Sequence, residues 1–289
     1  MKTQRECIPC FFRQIEHTSD LVGLSAKQRY KLFMRLSDEV LAFDFNNPPI
    51  VFGKIIYNAV SRACGRRDIF AAEKVAVERY LTGATKVIED FLVASGDPLY
   101  QAAKLSCAAN AIDFGAGRRP DIPGLMRTLT HLRLRVDHYN YFLKKLKSAR
   151  VVLFVADNCG EAVFDKFFIS QIRRANPAIE VFFAVRSGPI INDVVLSDAR
   201  RIGLETVATV LSSGCDYPGL ILSKTSVRFR RIYGRADIIV SKGQGNFESF
   251  AGTKDIFYLF KVKCPAVSKV LGLTLGSLLF LYNKESHVG

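Results

Sequence analysis

The sequence is poor in histidine and has no long apolar run. Among 289 residues there are four histidines, and no two of them have the spacing of a zinc-binding pair, so a histidine-based zinc site is not expected. The histidines are His17, His131, His138 and His287. The longest apolar stretch near the end, Leu271–Tyr282, is too short to span a bilayer, and the start of the chain has too short an apolar run for a targeting signal. We therefore expect a cytoplasmic protein with no membrane partner.

Several common motifs are also missing. The sequence has no P-loop, no dinucleotide-binding fingerprint, no internal repeat and no recognisable nucleic-acid motif. Its seven cysteines are an odd number in a chain that is not small, so a disulfide scaffold is not expected. Only Cys7 and Cys10 have an informative spacing, and no second CxxC completes a zinc finger. Half a metal site, a redox pair and a simple helix start remain open for this pair.

The charge of the chain is strongly positive. A net charge of +14 favours anionic partners, which include nucleic acid, an acidic membrane surface and phosphorylated small molecules. A solvated basic face explains the same excess, because protein surfaces commonly carry excess charge. The net charge alone therefore favours an anionic partner but does not distinguish among these three kinds.

Apolar patterning predicts an α/β fold in two parts. Residues 1–148 read as a mainly helical subdomain, with Ser25 and the Pro48-Pro49 pair as helix starts and Gly65 as a helix end. Residues 149–289 alternate short apolar runs with helical segments, which is typical of βαβ units in a largely parallel sheet. We expect the helical part to pack on a Rossmann-like α/β/α sandwich, within one continuous domain.

Polar residues follow each predicted strand of the second part. Asp157 and Asn158 come after Val151–Val155, Arg186 and then Asp193 follow Glu180–Val185, and Lys242 follows Ile238–Ser241. Lys261 and Lys263 end the run that begins at Ile256. Because ligands bind at the carboxyl ends of parallel strands, these groups are expected to converge on one edge of the sheet.

The acidic groups at this edge suggest a metal ion bound through oxygen. Asp157, Asn158 and Asp193 offer only oxygen ligands, which Mg²⁺ and Mn²⁺ prefer. A helix N-cap or turn is the alternative role for an isolated aspartate at a strand end. That alternative weakens when a second aspartate and an asparagine occur at neighbouring strand ends.

Two further segments are candidates for contacts with the substrate. Lys242-Gly-Gln-Gly-Asn is a glycine-rich turn whose backbone N–H groups could meet phosphate oxygens, although a plain tight turn is the commoner explanation. Asn110 and Asp113 are three residues apart and would share one face of a helix. A polar helix face explains this second pair equally well.

Six segments, in this order, resemble those of the metal-dependent damage-control phosphatases, the ARMT1-like family, in its prokaryotic and archaeal branch with an N-terminal CxxC. The segments are CIPCFFRQ from residue 7, AANAIDFGA from 108, DNCGEAVFD from 157, RSGPIINDV from 186, KGQGNFE from 242 and FKVKCPAV from 260. The resemblance covers nearly the whole chain. It implies a metal-dependent phosphatase that hydrolyses phosphate monoesters of small metabolites, such as sugar phosphates or damaged phosphometabolites.

The resemblance also implies roles for individual residues. Asp157, Asn158 and Asp193 would hold a divalent cation, with Mn²⁺, Mg²⁺, Co²⁺ or Ni²⁺ as the expected cofactor. Two lysines would meet the phosphate and four further residues would line the substrate pocket. The lysines are Lys242 and Lys263, and the lining residues are Asn110, Asp113, Glu161 and Arg186. A water molecule or Asp157 itself would serve equally well as the nucleophile.

Three positions depart from the family pattern without removing a metal ligand. Cys159 stands where alanine is usual, Ala109 replaces an expected glycine, and Val195 replaces an expected threonine.

Two other functions are compatible with the chain. One is a protein carboxyl methyltransferase, although no glycine-rich loop follows the first strand. The other is a basic nucleic-acid-binding protein without catalysis, although no nucleic-acid partner is expected if the chain is a phosphatase.

Overall fold

A computed structural model describes residues 1–110, 121–250 and 255–283 of the chain. In the described residues, seven α-helices precede the first strand: α1 (Cys7–Leu21), α2 (Ala26–Leu41), α3 (Pro49–Cys64), α4 (Ala71–Gly83), α5 (Thr85–Ala94), α6 (Pro98–Ala109) and α7 (Ile122–Leu129). Six follow in the described residues: α8 (Tyr139–Leu146), α9 (Cys159–Ala175), α10 (Leu196–Arg201), α11 (Val227–Arg235), α12 (Gln244–Ser249) and α13 (Pro265–Leu271). The strands are β1 (Val136–Asp137), β2 (Val151–Val155), β3 (Glu180–Val185), β4 (Thr209–Ser212), β5 (Ile238–Lys242), β6 (Ile256–Lys261) and β7 (Leu278–Asn283).

The first helices begin and end at residues with the matching local chemistry. Ser25 caps α2 in a capping box with Gln28, and each side chain binds the other's backbone N–H. Pro49 opens α3, and Gly65 ends it with φ +67°, a conformation that glycine adopts without a Cβ clash. Helices α1–α3 pack on each other through a core that includes Phe11 and Phe52 and that also contains Ile190 and Ala266 from the second part of the chain.

Within the part of the chain that the structure describes, the sheet has seven strands in the order β1-β7-β6-β5-β2-β3-β4. The five strands from β6 to β4 are parallel, while β7 is antiparallel to β6 and β1 runs parallel to β7. Register pairs Val155 of β2 with Ala184 of β3 and with Ser241 of β5. The residues that follow these three strands therefore meet at one edge.

Both faces of the sheet are covered by helices. Along β2, Val152 and Phe154 pack into the core on the side of α6, α8 and α9, while Leu153 and Val155 pack on the other side with α11. The alternation follows from the two-residue period of a strand. The predicted largely parallel α/β/α sandwich is confirmed.

Some predicted elements differ from the observed ones. The sequence pattern predicts a single helix from Asp68 to about Val93. This prediction is wrong, because the chain breaks at Ala84 between α4 and α5. Gly83, a poor helix former, ends α4. The sequence pattern also predicts a helix over Val136–Ser148. The observed helix starts only at Tyr139, because Val136 pairs with Leu279 of β7.

The core on the side of the sheet that α6, α8 and α9 cover contains residues from both predicted subdomains. It joins Leu105 of α6 and Phe142 of α8 to Phe154 of β2 and Phe168 of α9. The division at residue 148 stays a prediction.

Across the described residues, no helix combines the length and apolar character needed to cross a membrane. The cytoplasmic location stays a prediction.

Candidate active site

The turn between β2 and α9 is held against the chain segment that follows β3. Asn158, the N-cap of α9, forms an isolated antiparallel bridge with Asp193. Val194 N–H donates to Asp157 O at 2.9 Å, and Cys159 N–H donates to Asn192 O at 3.0 Å. These backbone bonds place the Asp157, Asn158 and Asp193 side chains at the same strand edge.

Arg186, the residue after β3, lies between the two aspartates. Its Nε donates to Asp193 Oδ2 at 2.5 Å, and its Nη2 lies 3.7 Å from Asp157 Oδ1. Among the described residues, Asp193 Oδ1 is buried without a hydrogen-bond partner. A buried carboxylate oxygen without a partner is costly, so this atom is a candidate ligand for a cation.

Glu161, on the first turn of α9, accepts hydrogen bonds from two side-chain amides. Asn110 Nδ2 donates to its Oε1 at 2.6 Å, and Asn158 Nδ2 donates to the same oxygen at 2.7 Å. The same two amide nitrogens lie 3.3 Å and 3.2 Å from Asp157 Oδ2. With its N–H groups committed to carboxylates, Asn158 keeps its Oδ1 for another partner.

Lys242 is fully buried beneath this group. Its Nζ donates to Ser106 O at 3.0 Å, to Glu161 Oε2 at 3.2 Å and to Asp165 Oδ1 at 2.9 Å. Three acceptors use all three ammonium protons. In this arrangement the lysine fixes Glu161 and Asp165, and a phosphate oxygen would have to displace one of its present partners.

The glycine-rich turn after β5 approaches the carboxylate of Asp157 closely. A Cβ added at Gly243 would lie 1.9 Å from Asp157 Oδ2, and Gly243 has φ +81°. Glycine is therefore required at position 243, both because a Cβ has no space there and because of the positive φ. Next to this turn, the exposed Lys263 donates its backbone N–H to Gln244 Oε1 at 2.8 Å.

The site holds more negative than positive charge. Four buried carboxylates face two buried cations, so two negative charges lack a buried partner when all four acids are ionised. The acids are Asp157, Glu161, Asp165 and Asp193, and the cations are Arg186 and Lys242. Such an excess requires protons, bound cations or water to offset it.

The pKa values of the acids reflect this excess. Burial, reinforced by the Asp193 and Glu161 carboxylates, raises the pKa of Asp157 well above its usual range, while Lys263 and Arg186 oppose the change. Burial raises the pKa of Asp193 to about 6, even though Arg186 pulls it down. Groups with pKa values raised in this way are typical of functional sites.

An open cavity of about 310 Å³ adjoins the site and shares Arg186 with it. Its walls come from the loop before α4, the loop after β3 and the start of α10. The lining residues are Arg67, Asp68, Arg186, Ser187, Gly188, Pro189, Val195, Leu196 and Ser197. The volume lies at the lower end of the range for ligand pockets, which suits a small metabolite.

A second acidic group lies behind the turn. Glu78, Cys159 and Asp198 are buried, and their ligand atoms lie within 4.8 Å of one another, so the group could hold a metal ion. Its two carboxylates already have cationic partners, since Lys74 lies 2.9 Å from Asp198 and Arg201 lies 2.8 Å from Glu78. Burial also raises the pKa of the Cys159 thiol, which donates to Glu78. The charge balance favours a structural network here.

The structure brings seven of the nine candidate residues into one bonded group. Lys263 lies near it with an exposed side chain, and Asp113 lies outside the described residues. Two of the three partners of Lys242, Asp165 and the Ser106 backbone, were not among the candidate residues. Asp165 had a detectable signal, because it follows Glu161 by four residues and so shares its face of α9.

Comparison with known proteins gives consistent matches along the chain. A family model described as the damage-control phosphatase ARMT1-like domain matches residues 3–279. A damage-control phosphatase of Pyrococcus horikoshii is 32% identical over 289 residues, covering 98% of this chain and 99% of that relative. A damage-control phosphatase of Archaeoglobus fulgidus is 25% identical over 291 residues, covering 96% of this chain and 98% of that relative.

A solved structure has the same fold. The crystal structure of a DUF89 family protein from Pyrococcus horikoshii superposes with a TM-score of 0.91 at 30% sequence identity. The superposition covers 98% of this chain and 100% of that one. The architecture described above is therefore that of a known protein over its whole length.

Proposed function

Since the chain belongs to the ARMT1-like damage-control phosphatase family, we propose that it hydrolyses phosphate monoesters of small metabolites with the help of a divalent cation. Asp157, Asn158 and Asp193 are the proposed ligands of this cation. Family membership identifies the chain as a phosphatase and favours this reaction over carboxyl methyl transfer and over nucleic-acid binding without catalysis. The proposal adds the metal dependence, the type of ester and the residues that act.

The charge balance of the buried site is the observation that carries the proposal. Four carboxylates and two cations leave an excess that one divalent cation would offset. Asp193 Oδ1 has no other partner among the described residues, and oxygen ligands suit Mg²⁺ or Mn²⁺. Bound there, a divalent cation would polarise a phosphoryl oxygen and reduce the repulsion between phosphate and site.

The surrounding side chains would orient the ligands. Arg186 fixes Asp193 through Oδ2 and leaves Oδ1 available. Glu161 binds the amide nitrogens of Asn110 and Asn158, which sets the direction of the Asn158 oxygen. Lys242 in turn holds Glu161 from below. We infer that Lys242 acts as a positioning residue.

Two cationic side chains would receive the phosphate in this proposal. Arg186 lines the open cavity as well as the carboxylate group, so its guanidinium can hydrogen-bond to a phosphoryl oxygen on that side. Lys263 is exposed at the end of β6 and close enough to Asp157 to lower its pKa. Together they would stabilise negative charge that develops on the transferred phosphoryl group. The nucleophile is a water molecule or Asp157 itself.

A phosphatase assay with defined metals tests the proposal. The purified protein is stripped with a chelator and assayed on p-nitrophenyl phosphate and a panel of sugar phosphates with Mg²⁺, Mn²⁺, Co²⁺ or Ni²⁺ in turn. We expect hydrolysis only with added metal. Asp193→Asn should reduce hydrolysis at least 100-fold, because it removes the charge of a proposed metal ligand. The shape of the side chain stays the same.

A matched control and a binding readout accompany the assay. Asp216→Asn changes an acid that is paired with Lys54 outside the site, and it should leave hydrolysis unchanged. Metal binding should raise the melting temperature of the wild type and of Asp216→Asn but not that of Asp193→Asn. Full hydrolysis by chelator-treated protein, or full activity of Asp193→Asn, would refute the proposed metal site.

A further inference from the structure

Arg67 places a guanidinium without a bonded partner on the wall of the cavity beside Arg186. Its side chain is exposed and forms no hydrogen bond or ion pair within residues 1–110, 121–250 and 255–283. The neighbouring Arg66, by contrast, donates to Val22 O at 2.9 Å, away from the cavity. Arg67 is therefore free to bind an anion that enters the cavity.

The backbone that carries Arg67 is held in place. Tyr57 Oη donates to Arg67 O at 3.0 Å, and burial raises the pKa of Tyr57 to about 12, which keeps this donor protonated. Lys74 binds Asp68 at 2.8 Å and Asp198 at 2.9 Å, and so ties the Arg67 loop to α10 on the opposite wall. A wall fixed in this way loses little entropy when a ligand binds.

The charges of the other lining residues are already compensated. Asp68 is the acidic residue of the lining, and its carboxylate binds Lys74 and the Phe70 N–H. Arg186 is engaged with Asp193. The charge of Arg67 is thus the surplus in the cavity. The hydroxyl groups of Ser187 and Ser197 add neutral hydrogen-bonding capacity.

We propose that the cavity binds a second negatively charged group of the substrate, a carboxylate or a second phosphate, through Arg67. The inference rests on the proposed function, since Arg186 links the cavity to the site that would hold the first phosphate. The substrate class is then a small phosphorylated metabolite with two anionic groups. Arg67 determines specificity for the second group and takes no part in the hydrolysis of the first.

Calorimetry with inert phosphonates tests the inference without catalysis. In the presence of Mg²⁺, 3-phosphonopropionate is compared with ethylphosphonate, and 1,3-propylenediphosphonate with propylphosphonate. In one pair or in both, the wild type should bind the member with two anionic groups at least tenfold more tightly than the member with one. The pair that shows this preference distinguishes a carboxylate from a phosphate as the second group. Arg67→Gln should reduce this preference to less than about threefold, since a charge-assisted bond is lost. Arg66→Gln should keep it.

Hydrolysis supplies a second readout. For 3-phosphoglycerate, Arg67→Gln should raise KM about tenfold with kcat nearly unchanged, because it removes binding that ground state and transition state share. For glycerol 3-phosphate and p-nitrophenyl phosphate, which lack the second anionic group, Arg67→Gln should raise KM by less than about threefold. Equal wild-type affinities within both phosphonate pairs, or an undiminished preference in Arg67→Gln, would overturn the inference. Selective phosphonate binding without hydrolysis of any ester would instead refute the proposed function alone.

Discussion

Arg186 binds one oxygen of the Asp193 carboxylate, with Nε 2.5 Å from Oδ2, and leaves the other oxygen without a partner among the described residues. The same guanidinium extends to 3.7 Å from Asp157 Oδ1. One planar side chain thus hydrogen-bonds to Asp193 and forms a longer ion pair with Asp157. Lysine has the same charge but lacks the fork of donors that this arrangement uses.

We predict that Arg186→Lys reduces metal-dependent phosphate ester hydrolysis at least tenfold while the protein stays folded. The positive charge remains, but a single ammonium cannot hold Asp193 and also reach Asp157. Steady-state kinetics on p-nitrophenyl phosphate measure the loss, and Arg200→Lys, at an exposed pair with Glu205, is the control. Wild-type kinetics in Arg186→Lys would mean that charge alone matters at this position.

Gly243→Ala should be strongly destabilising and should abolish activity. The new Cβ would lie 1.9 Å from Asp157 Oδ2, in addition to the strain of an alanine at φ +81°. Gly272→Ala separates the two effects, because Gly272 has φ +64° and a Cβ added there would have nothing within 4 Å. By urea unfolding, Gly272→Ala should cost about 1 kcal/mol, and Gly243→Ala clearly more. Equal losses in the two variants would show that no clash occurs with Asp157.

Local patterns predicted much of the fold. The strand bounds Val151–Val155 and Glu180–Val185 match the structure, because each is an apolar run that ends at a polar residue. Helices α2 and α3 match as well, since Ser25 marks the start of α2, and Pro49 and Gly65 mark the two ends of α3. The edge strand at Val136 was not predictable, because two residues gain a strand conformation only by pairing with β7, about 140 positions away.

The candidate site was predictable in its membership but not in its internal bonds. Parallel strands bring Asp157, Asp193 and Lys242 to one edge, which the alternation of strands and helices already implied. The burial of Lys242 depends on Ser106 and Asp165, which lie 136 and 77 positions away in the chain. No local pattern separates a lysine that meets a ligand from one that holds acids together in the interior.

Glu248 should make stability depend on pH. Burial raises the pKa of Glu248 to about 7, against the opposing effects of its bond from Gln244 and of the Met1 ammonium. A raised pKa in the folded state gives stability that is present below the unfolded-state pKa, near 4.5, and is lost as pH rises through about 7. Glu248→Gln should therefore be more stable than the wild type at pH 8 by about 2 kcal/mol. The difference should disappear near pH 4 in urea unfolding, and a constant difference would contradict the assignment.

Lys242→Met should destabilise the protein by about 3–5 kcal/mol, because it leaves Glu161 and Asp165 buried without their common cation. Burial already raises the pKa of Asp165 while Lys242 opposes the rise. Without the lysine the pKa of Asp165 should rise further, so the deficit should shrink as pH falls and the acid becomes neutral. Urea unfolding of chelator-treated protein at pH 8 and pH 5 measures both effects, with Lys224→Met, at an exposed lysine, as the control. A loss as small as that of the control would show that the folded protein does not need Lys242 to offset Glu161 and Asp165.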